Sequence, residues 1–365
     1  MAIPLFQTRL SPEAIEAAVA TLESGWLGQG ARVAEFESAF ADFVGAEHCI
    51  GVATGTAALH MALHVLDLEP GTEVITSPQT WVATHYAIEY VGCVPVLADI
   101  DPATGNIDPQ EIERRITDKT GAVVPVHYGG YPCDLDEILA VAERNGLPVI
   151  EDAAQAVGAT YKGRPVGSAP TLQCFSFGPI KNLPMVHGGA ITSADGTHFA
   201  RFRALRSMGL ARSSHERLRT SSSSYRPDLE LTEVGYRYEL PDVHAAIGLA
   251  QLPHVAEENA ARRRVAEAYR EGFAGTPGIR VLRYGEDRES AYHMYPILTE
   301  NRDAVAEELG RREINVGVHY PANNLLSYDE VPRARVFAEQ TLTLPIHPWL
   351  TDDDVAAVID AVKAA

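Results

Sequence analysis

The sequence has little lysine. Of its 30 basic residues only four are lysine, at positions 119, 162, 181 and 363. Positive charge as a whole is also short: the formal net charge is −19 and the pI about 5.1. Nucleic acid and anionic membrane both require clustered positive charge, so neither is expected as a partner. Cysteine is scarce too. Cys49, Cys93, Cys133 and Cys174 lie far apart without a CxxC pair, which fits reduced thiols in a cytoplasmic protein better than a disulfide framework or a zinc ribbon. No stretch approaches the ~18 apolar residues of a membrane span. The first 25 residues carry neither a basic n-region nor a long apolar h-region, so no signal peptide is expected. There is no internal repeat and no GxGxxG fingerprint. What is present is ordinary: 365 residues, 46% hydrophobic and 22% charged, enough for a full core and two domains.

Apolar, β-branched strands alternate with helices through the first half. Strands are expected at 49–53, 73–76, 94–99, 122–127, 148–152, 172–177 and 190–192. Helices are expected between them, at 57–66, 81–90, 109–116 and 135–145. That alternation predicts an α/β fold, a mostly parallel sheet covered on both faces. The pattern changes after about residue 195. A polar, serine-rich stretch over 210–231 reads as a mobile loop, and one long helix is expected over 243–273. The remainder reads as a smaller α+β domain with strands near 279–282, 293–298 and 316–320. The expected domains are 1–250 and 251–365.

Four features fall at turns after strands, where ligand sites of open α/β sheets lie. Thr54-Gly55-Thr56 precedes a helix, and reads either as a cap or as an anion cradle. Trp81 can stack on a flat heteroaromatic ring or pack in the core. Asp152 ends an apolar strand, followed by Ala153, Ala154 and Gln155; its carboxylate can pair with a protonated ring nitrogen or cap a helix. In CFSFGPIKNLPMVHGGA, Ser176 offers a hydroxyl and Lys181 a primary amine in an apolar setting. A desolvated lysine has a depressed pKa and can act as a nucleophile, which a guanidinium cannot do. An anion cradle, a stacking ring, an acid for a ring nitrogen and a nucleophilic lysine together describe a pyridoxal phosphate site.

Other motifs are read as structure. His60 and His64 have the spacing of a helical zinc pair, but Met61 stands where that motif needs glutamate, and no metal is expected. Gly188-Gly189 reads as a close backbone approach. Arg262-Arg263-Arg264, on a segment rich in glutamate, reads as a solvated face.

The sequence resembles the DegT/DnrJ-type sugar aminotransferases over nearly its whole length. The markers, in order, include SGWLGQGARVAEFE, ATGTAALHMAL, PQTWVAT, PVHYGGYPCDLDEI, VIEDAAQAVGATYKGRPVGS, CFSFGPIKNL, GYRYELPDVHAAIGLAQL and LPIHPWLTDDDV. The resemblance implies a fold-type-I transferase with a seven-stranded-type sheet and pyridoxal 5′-phosphate as cofactor. It implies that Lys181 bonds covalently to the cofactor and moves the proton. Asp152 would meet the pyridine nitrogen and Gln155 the ring 3-oxygen. Trp81 would stack, and Gly55, Thr56 and Ser176 would bind phosphate. Dehydratases of the family carry histidine where this chain has Lys181, which points to transamination.

The resemblance further implies a homodimer with active sites at the subunit interface and the stretch around Arg237 reaching the neighbouring site. Substrate would be bordered by His187, His319, Tyr320 and the 210–231 loop. L-glutamate is the implied donor and a nucleotide-linked keto-deoxysugar the implied acceptor. An unlinked keto-cyclitol is the alternative acceptor, and a non-catalytic cofactor-binding sensor the alternative of another class. Three positions depart from the usual family pattern: Arg237 in place of asparagine, Glu239 in place of a basic residue, and His187 in place of an acid or small polar residue.

Overall fold

A computed structural model describes residues 2–211 and 230–365. The 210–231 loop lies outside the described residues over 212–229; at its ends Leu210 bridges to Leu231. Seven strands form the large sheet: β1 (His48–Val52), β2 (Glu73–Thr76), β3 (Val94–Leu97), β4 (Thr120–Val124), β5 (Ile150–Asp152), β6 (Leu172–Ser176) and β7 (Gly189–Ser193). β5 pairs in parallel with β6, and β2 with both β3 and β4. Parallel bridges from Val123 to Val149 and from Val126 to Asp152 join β4 to β5. β7 runs antiparallel to β6 and to β1. The order is therefore β1-β7-β6-β5-β4-β2-β3, with β7 the one antiparallel strand among the described residues; a mostly parallel sheet is what the alternating pattern predicts.

Both faces are covered. Val52, Leu59, Met61 and Phe202 belong to one apolar cluster, and Phe36, Phe40, Phe175 and Phe177 to another. Phe40 meets the Phe175 and Phe177 rings edge-on at 5.1 and 5.0 Å, a favoured aromatic geometry. The helix Ala31–Val44 has no side-chain cap of its own at Gly30; Asp242, distant in sequence, accepts from the Gly30 and Val33 amides at 2.8 and 3.1 Å.

Three expectations are corrected. The helix foreseen over 243–273 is two helices, Asp242–Gln251 and Val255–Gly272, separated by a 3₁₀ turn at Leu252–His254. Pro253 cannot donate to an α-helical ladder and interrupts it. Arg262 does not face solvent; only 6% of it is exposed. Residues 316–320 do not form a strand. The third strand beside Arg280–Val281 and Tyr295–Leu298 is Thr341–Leu344, and of the 316–320 segment only Gly317 bridges to it, at Thr343. Beyond Gly317 the backbone leaves the sheet. The His319 carbonyl accepts from the Tyr128 hydroxyl and, with the Tyr320 carbonyl, faces Gln79 Nε2 at 3.3–3.4 Å.

Asp99 ties the C-terminal part to the sheet. Its carboxylate accepts from the Ala334 and Arg333 amides at 2.8 and 3.0 Å, capping the helix Pro332–Gln340, which has no side-chain cap of its own. Arg333 also reaches Asp108 and Glu111 at 3.0 and 2.9 Å. Buried acceptors are costly to remove when their donors stay behind. Asp99→Ala should lower unfolding stability by about 2–4 kcal/mol, read as a reduced urea midpoint at unchanged slope. A loss below about 0.5 kcal/mol, the range of an ordinary surface change, would dismiss the clamp.

Candidate active site

The site is built at the ends of β5 and β6. β5 ends at Asp152, which is 4% exposed. Its Oδ2 accepts from Thr84 Oγ1 at 2.7 Å and its Oδ1 from the Ala154 amide at 3.1 Å. Thr84 sits in the first turn of the helix Val82–Tyr90, with its hydroxyl 2.8 Å from that of Thr80. Strand alternation turns Glu151 the other way. It is fully buried against His127 Nε2 and Gln173 Nε2, both at 3.0 Å, and the Thr171 hydroxyl. Burial pushes the Glu151 carboxyl up, but the hydrogen bonds and the His127 charge outweigh it and hold the pKa below the usual range.

Lys181 closes the turn that follows β6, its amide bonded to the Gly178 carbonyl at 3.0 Å. Burial lowers its amine to about 8, and the Asp152 carboxylate opposes part of that fall. Near pH 8 about half of the amine is unprotonated and nucleophilic. Lys162 is the contrast: exposed and bonded to Asp136 at 2.6 Å, it is held above its ordinary value.

The Thr54 cap is real, since its hydroxyl oxygen accepts from the Ala57 amide at 3.0 Å. It leaves the Gly55 and Thr56 amides at the open helix end, where a dipole and unsatisfied N–H groups suit an anion. Two glycines let three segments converge there. A Cβ on Gly55 would lie 2.7 Å from Ser176 Cβ, and one on Gly189 would lie 2.4 Å from the Thr54 carbonyl oxygen. Of the Gly188-Gly189 pair it is Gly189 that makes the close backbone approach, and its pairing with Ser176 brings that residue alongside Gly55.

Gln155 Oε1 accepts from the Gly129 amide at 2.7 Å, and its Nε2 donates to the Tyr320 hydroxyl at 3.2 Å. Trp81 is 61% exposed, its ring 6.1 Å from that of Tyr320. His319 Nδ1 lies 2.9 Å from the Thr343 hydroxyl, and burial, then the Lys181 charge, lower its imidazole to about 4. The structure therefore links Gly55 with Ser176, Lys181 with Asp152 and His319, and Gln155 with Tyr320 and Trp81. His187 and Arg237 are exposed. Among the described residues neither bonds to Lys181 or Asp152; His187 lies instead beside His244, and Arg237 bridges to Ser207. Glu239 accepts from Ser207 Oγ at 3.1 Å. Sequence reading missed Thr84, whose one signal was a hydroxyl three residues after Trp81, and Asn182, directly after the lysine. His60 and His64 bond to Tyr238 and Tyr236, each at 3.0 Å. No group of residues that could hold a metal ion occurs among the described residues.

A buried carboxylate, a desolvated amine in its field and a glycine-shaped cradle at a helix N-terminus are the groups that pyridoxal phosphate requires. The profile of the DegT/DnrJ/EryC1/StrS aminotransferase family matches residues 8–363. The chain belongs to this family. It is 38% identical to the Bacillus subtilis spore coat polysaccharide biosynthesis protein SpsC, over 99% of this chain and 96% of that one. The solved sugar aminotransferase CalS13 from Micromonospora echinospora superposes with a TM-score of 0.91 at 33% identity, covering all of both chains. The pyridoxal phosphate form of Spr1654 from Streptococcus pneumoniae, a putative sugar aminotransferase by its description, gives 0.91 at 29% identity, over 100% of this chain and 98% of that one. The protein is a pyridoxal phosphate-dependent aminotransferase of fold type I.

The lysines make the site's electrostatics testable. In full-length protein freed of cofactor, trace acetic anhydride should label Lys181 ahead of Lys162 at pH 8, with the Lys181 rate inflecting near 8, as peptide mass spectrometry reads. An inflection above 10 would mean that the amine is not desolvated.

Proposed function

We propose that this aminotransferase moves an amino group from L-glutamate to the keto group of a nucleotide-linked deoxysugar, releasing 2-oxoglutarate and an amino sugar. The observation that carries the reading is the low-pKa Lys181 amine beside the Thr84-held Asp152. The sugar assignment is supported by the relatives described as sugar aminotransferases or as polysaccharide biosynthesis proteins. In this reading the cofactor, when bound, supplies an electron sink. Asp152 holds its ring nitrogen protonated, Gln155 meets the 3-oxygen, Trp81 covers a ring face, and Gly55, Thr56 and Ser176 bind its phosphate. Lys181 Nζ would take the proton from the donor's α-carbon and deliver it to C4′ of the cofactor. His319, Tyr320 and His187 border the sugar. The cofactor-binding part is 1–250 and the smaller domain 251–365.

The same reading makes the protein a cytoplasmic homodimer. Trp81 and Val234 are apolar yet exposed, at 61% and 87%, and a second subunit would cover such side chains; Arg237 would reach the phosphate held by the other subunit.

The test is a visible spectrum with pyridoxal phosphate, before and after L-glutamate, for wild type and Lys181→Ala. The yellow band of the lysine-bound cofactor should form in wild type, bleach with glutamate, and be lost in the variant. A nucleotide-linked keto-deoxysugar should then restore the yellow band. Restoration only by an unlinked keto-cyclitol would transfer the assignment to carbocycles. Failure of every amino donor to bleach the band would favour a sensor.

A further inference from the structure

Behind Lys181 runs a buried line of side chains whose hydrogen positions can be worked out. Asn259 Nδ2 donates to the Val157 carbonyl at 2.9 Å, so Asn259 Oδ1 is the end that faces Asn182. Asn182 Nδ2 donates to that oxygen and to the Ala291 carbonyl, both at 2.8 Å. Both protons of the Asn182 amide are thereby used. Reversing the amide would set its oxygen against two other acceptors, so the orientation is fixed. Asn182 Oδ1 must therefore accept, and the atom that faces it at 3.1 Å is His293 Nδ1. In a neutral imidazole a protonated Nδ1 leaves Nε2 with only its lone pair. Nε2 lies 3.5 Å from Lys181 Nζ.

His293 is 2% exposed, and the Phe6 ring lies over it at 5.7 Å with an angle of 13° between the planes. Burial holds the imidazole well below its ordinary pKa, and the charges of Lys181, Arg262 and His319 push the same way. The groups that act electrostatically on Lys181 and His293 are thus Asp152, His319, Arg262 and each other. Asp152 is the one carboxylate among them.

We propose that His293 is the positioning residue of Lys181, a neutral, Nδ1-protonated imidazole whose Nε2 accepts a hydrogen bond from the lysine amine. No proton is transferred to it. The proton stays on Nζ, and the acceptor fixes where one N–H of that amine points. Removing the acceptor destabilises the ammonium form, because a hydrogen bond to a charged group favours that form. This inference rests on reading Lys181 as the reactive lysine.

The test uses full-length protein freed of cofactor, so that its failure is separate from failure of the spectral test. Trace acetic anhydride labelling of Lys181 is followed against pH. His293→Leu should lower the inflection by about one unit from the wild-type value near 8, making labelling about fivefold faster at pH 7. His293→Gln, which returns an acceptor oxygen, should bring the inflection back to within a few tenths. An inflection unmoved in His293→Leu, or lowered equally in both variants, overturns the proposal, since a packing role alone would not distinguish them. Nitrogen-15 NMR of histidine-labelled wild type supplies an arm independent of any variant. The Nδ1–H tautomer of His293 supports the assignment and the Nε2–H tautomer overturns it.

Discussion

Burying one amine is the constraint around which the site is arranged. An ordinary lysine titrates near 10.5, and this one near 8. That difference is worth about 3 kcal/mol against the charged form. The sign matters for the fold. A lysine whose folded pKa is depressed costs stability in full below pH 8, where both states are protonated, and sheds that cost as the pH rises toward 10.5. Function therefore requires a local destabilisation that the rest of the chain must offset. The offset is visible as packing. Phe6 covers His293, two glycines bring β7 and β6 against a helix end, and among the described residues the Asp152 carboxylate is the one opposing charge in the amine's field.

The carboxylate itself is prepared by the sheet. Strand alternation separates Glu151 from Asp152. Glu151 is enclosed by His127, Thr171 and Gln173, an internal arrangement with its own donors, while Asp152 keeps two neutral donors, Thr84 and the Ala154 amide. A carboxylate that already held a tight ion pair would be less available to a ring nitrogen. The parallel bridges that join β4 to β5 fix the end of that strand from the side opposite β6.

The seven strands and the residues at their ends were legible because both depend on short-range pattern: short apolar, β-branched runs, glycine turns, and polar residues placed at or just past the ends of apolar strands. What escaped depends on contacts distant in sequence. Pro253 was visible, yet the alanine- and glutamate-rich run around it hid the break. Arg262 looked like one of three arginines on a wet face, yet it is buried and lines one cavity with Phe6, His293 and His347, residues distant in sequence. The strand Thr341–Leu344 was missed in favour of 316–320 because both are short and β-branched. Competition for His319 and Tyr320 by Tyr128 and Gln79 decides between them. Thr84 and His293 were legible as residue types but not as neighbours of Asp152 and Lys181.

The division of labour between the two basic residues follows from the same physics. Structural cations in this chain are arginines. Arg201 binds Asp67 with two nitrogens at 2.6 and 2.7 Å and also grips Glu233. Arg333 spans Asp99, Asp108 and Glu111, and Arg206 is buried against Glu37 and the Gly51 carbonyl. A guanidinium suits these places because it stays charged and its fork satisfies several acceptors at once. Three of the four lysines are exposed. The fourth is held where its charge is disfavoured, opposite a histidine nitrogen that has only a lone pair to offer. An arginine there would keep its proton at any pH the protein meets and would have no nucleophilic nitrogen to present. The scarcity of lysine with which the sequence opens thus separates the chain's one chemically poised amine from the cations that hold its fold.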